Sequence, residues 1–151
     1  MSHQSTDEAL LAVTEGAMVV GSSDVHYEYF ETYIIVRFRI DGILVDIFKL
    51  DKRQYKLILE RLKYSANLKL NITNIPQDGK YTLVIQEKKI DVRVSTLPSK
   101  YGENVVCRIL DGSKNIVNFE DLGFFWTGKR MIDKAMEKKS GMILVTGPTG
   151  S

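Results

Sequence analysis

Three groups of residues in this chain have the types and spacing to do chemistry. Gly147-Pro148-Thr149-Gly150-Ser151 follows the apolar run Met142-Ile-Leu-Val-Thr146. In a P-loop, Gly and four residues precede Gly-Lys-Ser/Thr; backbone N–H groups cradle phosphates, the lysine reaches the outer phosphates and the hydroxyl holds Mg2+. Gly147 fits the first position of that pattern and Ser151 the fifth. The expectation is a buried strand running into the front of a P-loop, with the glycine, lysine and magnesium-binding hydroxyl beyond Ser151. No ATPase activity is therefore expected of this chain as given, and neither ATP nor Mg2+ is expected to be bound to it. The second group is Arg37 and Arg39, two residues apart just before Asp41-Gly42. The third is Asp24, His26 and Glu28, which alternate on one face of a strand and superficially suggest a metal site. Ligands spaced ~6.5 Å apart along one strand cannot close on one ion without partners elsewhere, so hydrogen-bonding or interface work is the favoured reading and no metal is expected.

Composition bounds the setting. The chain has 151 residues, 44% hydrophobic and 26% charged, with a net charge of +2. That is enough for one domain and the start of another. No apolar run approaches the ~18 residues of a membrane span, and Asp7, Glu8 and Glu15 occupy the place of a signal peptide's basic and apolar regions. Cys107 is the single cysteine, which excludes an internal disulfide and points to a reducing, cytoplasmic setting. It sits among apolar strand residues as a small buried hydrophobe, and no acid, base and nucleophile group forms around it, His3 or Ser151. The charge is too small to imply a nucleic-acid partner, and none is expected.

The elements that would position these residues can be read from periodicity. Ser5-Thr-Asp-Glu8 has capping-box spacing, with Leu10, Leu11, Val13, Ala17, Met18 and Val19 as a helical apolar face ending at Gly21-Ser22-Ser23. Ile34, Val36, Phe38 and Ile40 alternate with Tyr33, Ile35, Arg37 and Arg39, and Asp41-Gly42 turns into Ile43–Phe48. Asp51 caps a second helix whose apolar side is Tyr55, Ile58, Leu59, Leu62 and Ala66; Lys52, Lys56, Arg61 and Lys63 make a basic side, read as solvated for want of interleaved aromatic residues. A Pro76-Gln-Asp-Gly79 turn precedes Tyr81, Leu83 and Ile85, then Ile90, Val92 and Val94 alternate, and a loop over 96–102 leads to a last strand at 104–110. Residues 111–126 show no period and read as a connector anchored by Leu122, Phe124, Phe125 and Trp126. Met131, Ile132, Ala135 and Met136 then mark a short amphipathic helix. The expected organisation is α+β: a mostly antiparallel sheet with flanking helices over 1–110, a connector over 111–126, and the first helix and strand of a nucleotide-binding α/β domain over 127–151.

Seven motifs occur in register: Ser23-Asp-Val-His-Tyr-Glu28, Val36-Arg-Phe-Arg-Ile-Asp-Gly42, Pro76-Gln-Asp-Gly79, Asp91-Val-Arg-Val-Ser-Thr-Leu-Pro98, Tyr101-Gly-Glu103, Asp121-Leu-Gly-Phe124 and Ile143-Leu-Val-Thr-Gly-Pro-Thr-Gly-Ser151. Over about residues 7–151 this resembles the GspE/PilB family of secretion ATPases, which serve type II secretion and type IV pilus assembly. The resemblance implies a PAS-like domain before a RecA-like ATPase core, assembled as a homohexamer with ATP and Mg2+ between the two domains of a subunit. It also implies cytoplasmic work at the inner membrane, where hydrolysis drives extrusion of pilin or pseudopilin through a platform protein of the secretion or pilus machinery. Arg37 and Arg39 match the family's strand arginines, and Arg108 matches the arginine ending its Gly-Glu-x-x-Val-x-Arg segment. A guanidinium fork suits phosphate, so these three are candidates for phosphate or interface contact; the other reading is solvated residues, or pairs with Asp41, Asp46 or Asp91. Asn71-Ile-Thr-Asn-Ile75 and Lys80 depart from the family's more basic pattern. A stand-alone PAS-like regulatory or adaptor module that binds a partner protein, and a motor of the pilus-retraction branch, are the alternatives.

Overall fold

The structure, a computed structural model, describes residues 3–110, 123 and 126–147, with side chains from Thr6 onward. It divides into two units, Met1–Gly112 and Ser113–Ser151. The first unit is α1 (His3–Val19), β1 (Asp24–Tyr29), β2 (Ile34–Ile40), β3 (Ile43–Leu50), α2 (Lys52–Ser65), β4 (Gln77–Ile85), β5 (Lys88–Pro98) and β6 (Glu103–Leu110). All strand pairs are antiparallel and the sheet order is β3-β2-β1-β6-β5-β4. The expected α+β class is thus observed: two three-strand meanders join through β1 and β6, and α2 makes the connection between them.

Local sequence explains most of this. Asp41 and Gly42 both take positive φ, 49° and 82°, the paired left-handed conformation whose twist matches a two-residue hairpin. Asp51 caps α2 reciprocally: its carboxylate accepts from the Gln54 backbone N–H, and the Gln54 side chain accepts from the Asp51 N–H. Every second residue of the inner strands, among them Val25, Tyr27, Val36, Val94 and Val105, packs under Leu10, Ala17, Tyr55, Ile58 and Leu62 of the helices. The helices therefore cover one sheet face and leave the other open. Gly79 lets the sheet approach the end of α2, because a Cβ there would lie 2.3 Å from the Ala66 carbonyl oxygen.

Several expectations are corrected. Helix α1 begins at His3, so Ser5 lies within the helix rather than ahead of it, and Val19 is 86% exposed. Residues 77–79 pair with β5 inside β4 and form no turn, and Thr96–Pro98 extends β5. Lys63 is not solvated: it is buried against Glu103. In the second unit, α3 (Thr127–Met136) is the expected short helix. Residues 142–146 form no strand, and Met142, Leu144 and Val145 are exposed. A strand of a parallel sheet needs neighbours for its backbone groups and both its faces, and no described strand pairs with this run.

Candidate functional site

The open face of the sheet gathers the charged residues singled out above. Strand register places Arg39 of β2, Asp24 of β1, Arg108 of β6, Arg93 of β5 and Lys80 of β4 opposite one another in a single cross-strand row. The row holds four cations and one carboxylate. Arg37 and His26 lie opposite each other in the next row.

Two of the three candidate arginines are engaged on both sides. Arg37 Nε donates to Asp46 at 2.7 Å and its Nη1 to Glu28 at 3.0 Å. Arg39 Nε lies 3.2 Å from Asp24, its Nη1 donates to the Gly42 carbonyl at 3.1 Å, and its Nη2 lies 3.4 Å from His26 Nε2. Of the carboxylates considered as partners from sequence, Asp46 is the one used. Arg108 is more open: Nε donates to Asp24 at 2.8 Å while most of the side chain stays exposed. Asp24 is thus a buried anchor between Arg39 and Arg108. Burial acts to raise its carboxyl, but hydrogen bonds from Arg108 and Ser23 outweigh that and hold it below the ordinary value. Burial, and then the Arg39 charge, push His26 below its ordinary value. The Asp24, His26, Glu28 series therefore orients arginines, the hydrogen-bonding role anticipated for it.

Arg93 escaped the sequence reading. It stands directly opposite Arg108, is exposed, and makes no ion pair with a described residue. Like charges facing each other across a strand pair destabilise a sheet, and only Arg108 has a carboxylate beside it. Arg93 and Arg108 line a recess of about 350 Å³ together with Asp78, Gly79, Ser95 and Val106. The Ser95 hydroxyl donates to Asp78, which ties that acid to the β5–β4 pair. Two forks flanking a cavity, one of them uncompensated, form an arrangement that an oxyanion would stabilise. A signal existed in sequence: Arg93 falls between Val92 and Val94, so it must face away from the core as Arg108 does.

Of the P-loop candidates, Gly147 is described and exposed; Pro148, Thr149, Gly150 and Ser151 lie outside the described residues, as does most of the 111–126 connector. Cys107 is buried, and burial pushes its thiol up to about 12. It lies on the helix-covered face, opposite Val25 and Val94, away from the arginines.

Comparison with known proteins gives these residues a context. The family described as Type II/IV secretion system protein matches residues 2–151. The Type II secretion system protein E of Dickeya dadantii (strain 3937) is 45% identical over 130 residues, which cover 86% of this chain and 26% of that protein. The protein of the same description from Klebsiella pneumoniae is 45% identical over 132 residues, again 86% of this chain and 26% of its own length. The Type II secretion system ATPase E of Vibrio cholerae serotype O1 is 38% identical over 135 residues, 89% of this chain and 27% of its own. The chain spans about a quarter of the length of these relatives. A family match across nearly every residue, with such relatives over most of the chain, leads to one conclusion: the chain belongs to the Type II/IV secretion system protein family.

Proposed function

We propose that this chain is the nucleotide-sensing front part of a secretion ATPase, and that Arg93 and Arg108 on the open sheet face take the terminal phosphate of ATP. The observation that carries this reading is the in-register Arg93–Arg108 pair over a recess, with Arg93 lacking an ion-pair partner among the described residues. An anion between them relieves their repulsion and completes both forks. Arg37 and Arg39, already held by carboxylates, are placed to support the row and its interface; either could reach phosphate only by exchanging a carboxylate partner.

In this reading the first unit is a PAS-like domain. The P-loop beginning at Gly147 is completed by residues after Ser151 and holds ATP and Mg2+ in a RecA-like core, and the assembled motor is a homohexamer. Type II secretion is favoured over pilus assembly because the relatives are described as proteins of that system. The motor would then act from the cytoplasm on an inner-membrane platform protein; among the described residues no helix is long and apolar enough to cross a membrane.

The test is steady-state ATP hydrolysis by a chain carrying the complete P-loop. Arg93→Ala and Arg108→Ala should each lower the rate by about 10²–10³-fold, the scale for removing a donor that meets charge developing on phosphate. Arg93→Lys should restore little, because it keeps the charge and loses the planar fork. Arg93→Ala should melt no lower than the wild type, since the side chain is exposed, has no ion pair to lose and faces a like charge in Arg108. Wild-type hydrolysis by both alanine variants would remove these arginines from the mechanism.

A further inference from the structure

A second basic site lies apart from the open face, on the helix side of the first unit. A cleft of about 740 Å³ opens between α2, residues Thr73 and Asn74, and the β5–β6 turn. Lys52, Arg53 and Lys56 form its basic wall; Tyr29, Leu59 and Pro98 line it with apolar surface. Ser99, Thr73 and Asn74, from the loops outside α2, add polar lining.

The charge of the cleft is unbalanced. Its single acid, Glu103, is buried and already neutralised by Lys63, 2.7 Å away. Arg53 has no ion pair to a described residue, Lys56 only grazes Glu60 at 4.0 Å on the surface, and Lys52 stands 5.9 Å above the Tyr29 ring. Lys52 and Lys56 are four residues apart on one helix, and Arg53 and Lys56 three, which sets their side chains ~6 Å from one another. Alternate side chains of an extended peptide are separated by ~6.5 Å. An extended strand with acids at every second position would therefore meet the lysines in step and turn its intervening side chains toward Tyr29, Leu59 and Pro98. Its backbone amides would face hydroxyls and the Asn74 amide. Ser99 Oγ donates to the Gly102 carbonyl and keeps its own lone pairs for an N–H; Thr73 and Asn74 make no hydrogen bond to a described residue.

We infer that this cleft docks an extended acidic segment of a partner protein, in which Asp or Glu alternates with apolar residues. Charge complementarity selects acid. The concave shape and hydrogen-bonding wall select a peptide over a membrane surface, which would ask for a flat or convex basic patch. This inference stands independently of the arginine site.

The test uses the full 151-residue chain and a fluorescein-labelled heptapeptide alternating Glu and Leu, with the Gln–Leu peptide as control. Fluorescence anisotropy should show binding that weakens with salt and is about tenfold or more tighter for the Glu peptide. Amide shift changes in two-dimensional NMR should fall on residues 52–59, 73–74 and 98–102. The triple variant Lys52→Glu/Arg53→Glu/Lys56→Glu should lose at least about tenfold in affinity with an unchanged melting temperature. Should that variant fold poorly, the two peptides on the wild-type chain still decide the matter. No binding, equal binding of the two peptides, or shifts centred on Arg93 and Arg108 would overturn the inference. So would binding to phosphatidylglycerol vesicles without binding to the peptide.

Discussion

Replacing Lys63 by Met removes the one buried cation among the described residues of the first unit. Its ammonium lies 2.7 Å from each oxygen of Glu103 and donates to the Ile72 carbonyl at 2.8 Å; the two side chains are 2% and 3% exposed. Gln77 also donates to that carbonyl, so the substitution does not orphan it. Glu103 is the casualty: Oε1 makes no hydrogen bond and is balanced by the ammonium charge alone. Leaving a buried carboxylate uncompensated costs about 3–5 kcal/mol. For a unit of 112 residues each kcal/mol is worth about 4 °C, so Lys63→Met should lower the melting temperature by roughly 12–20 °C. Pairing it with Glu103→Leu removes the stranded charge and should recover most of that loss, because apolar replacement of a whole buried pair is often neutral or stabilising. Calorimetric melts of the two single variants and the double variant, combined as a cycle, measure the coupling. A Lys63→Met loss below about 1 kcal/mol, or a double variant no better than the single, would refute the claim that the buried Glu103 carboxylate depends on Lys63 for its charge balance.

Gly79→Ala should destabilise by about 1–3 kcal/mol in a denaturant titration, because its Cβ would meet the Ala66 carbonyl at 2.3 Å and Leu68 Cδ2 at 2.7 Å, and the former is backbone that cannot rotate away. His26, faced by Asp24, Glu28, Arg37 and Arg39, has its value lowered chiefly by burial, so the unfolded chain takes up the proton first as pH falls. The stability tied to its neutral ring is therefore present above about pH 6.5 and is lost below it. Denaturant midpoints at pH 7.5 and 5.5 should fall further for the wild type than for His26→Gln, and equal falls would contradict this. Cys107, with its thiol pushed up to about 12, should react with a disulfide reagent at pH 8 no faster than the chain unfolds. Stoichiometric labelling within seconds under native conditions would show the thiol to be accessible.

The β2–β3 hairpin was legible because Ile34, Val36 and Phe38 are buried at every second position of β2 and because Asp41-Gly42 is a turn pair whose backbone demands are met by its own residue types. Asp51 and the apolar side of α2 were legible for the same reason: each signal is local. Lys63 was misread by residue type, although its position gave it away. It falls four residues after Leu59 and three before Ala66, inside the apolar stripe, so a lysine there had to bring a partner. Glu103, that partner, is forty residues distant in sequence, a separation no period reports. The run 142–146 was read as a strand from its apolar content, but hydrophobicity alone does not supply the neighbours that a parallel-sheet strand requires.

The candidate site shows the same division between local and non-local signals. That Arg37, Arg39, Arg93 and Arg108 face away from the core follows from alternation within each strand. Which of them is available to a ligand depends on the carboxylate that register sets beside each. Asp46 and Glu28 flank Arg37, and Asp24 lies between Arg39 and Arg108. Arg93 is left facing another arginine, and Asp78, which lines the same recess, is bound to Ser95. The pairs of Arg37 are partly exposed and weak, so it could exchange partners at modest cost, whereas Arg39 would leave the buried Asp24 to Arg108 alone. An anion entering the recess would nonetheless meet Arg93 first, because it has no partner there to give up. What distinguishes the four arginines is thus the placement of three carboxylates, Asp24, Glu28 and Asp46, rather than the arginines themselves. Residue type and a family pattern singled out Arg37, Arg39 and Arg108, while the pairing of Arg93 with Arg108 became visible only with the register of β5 and β6.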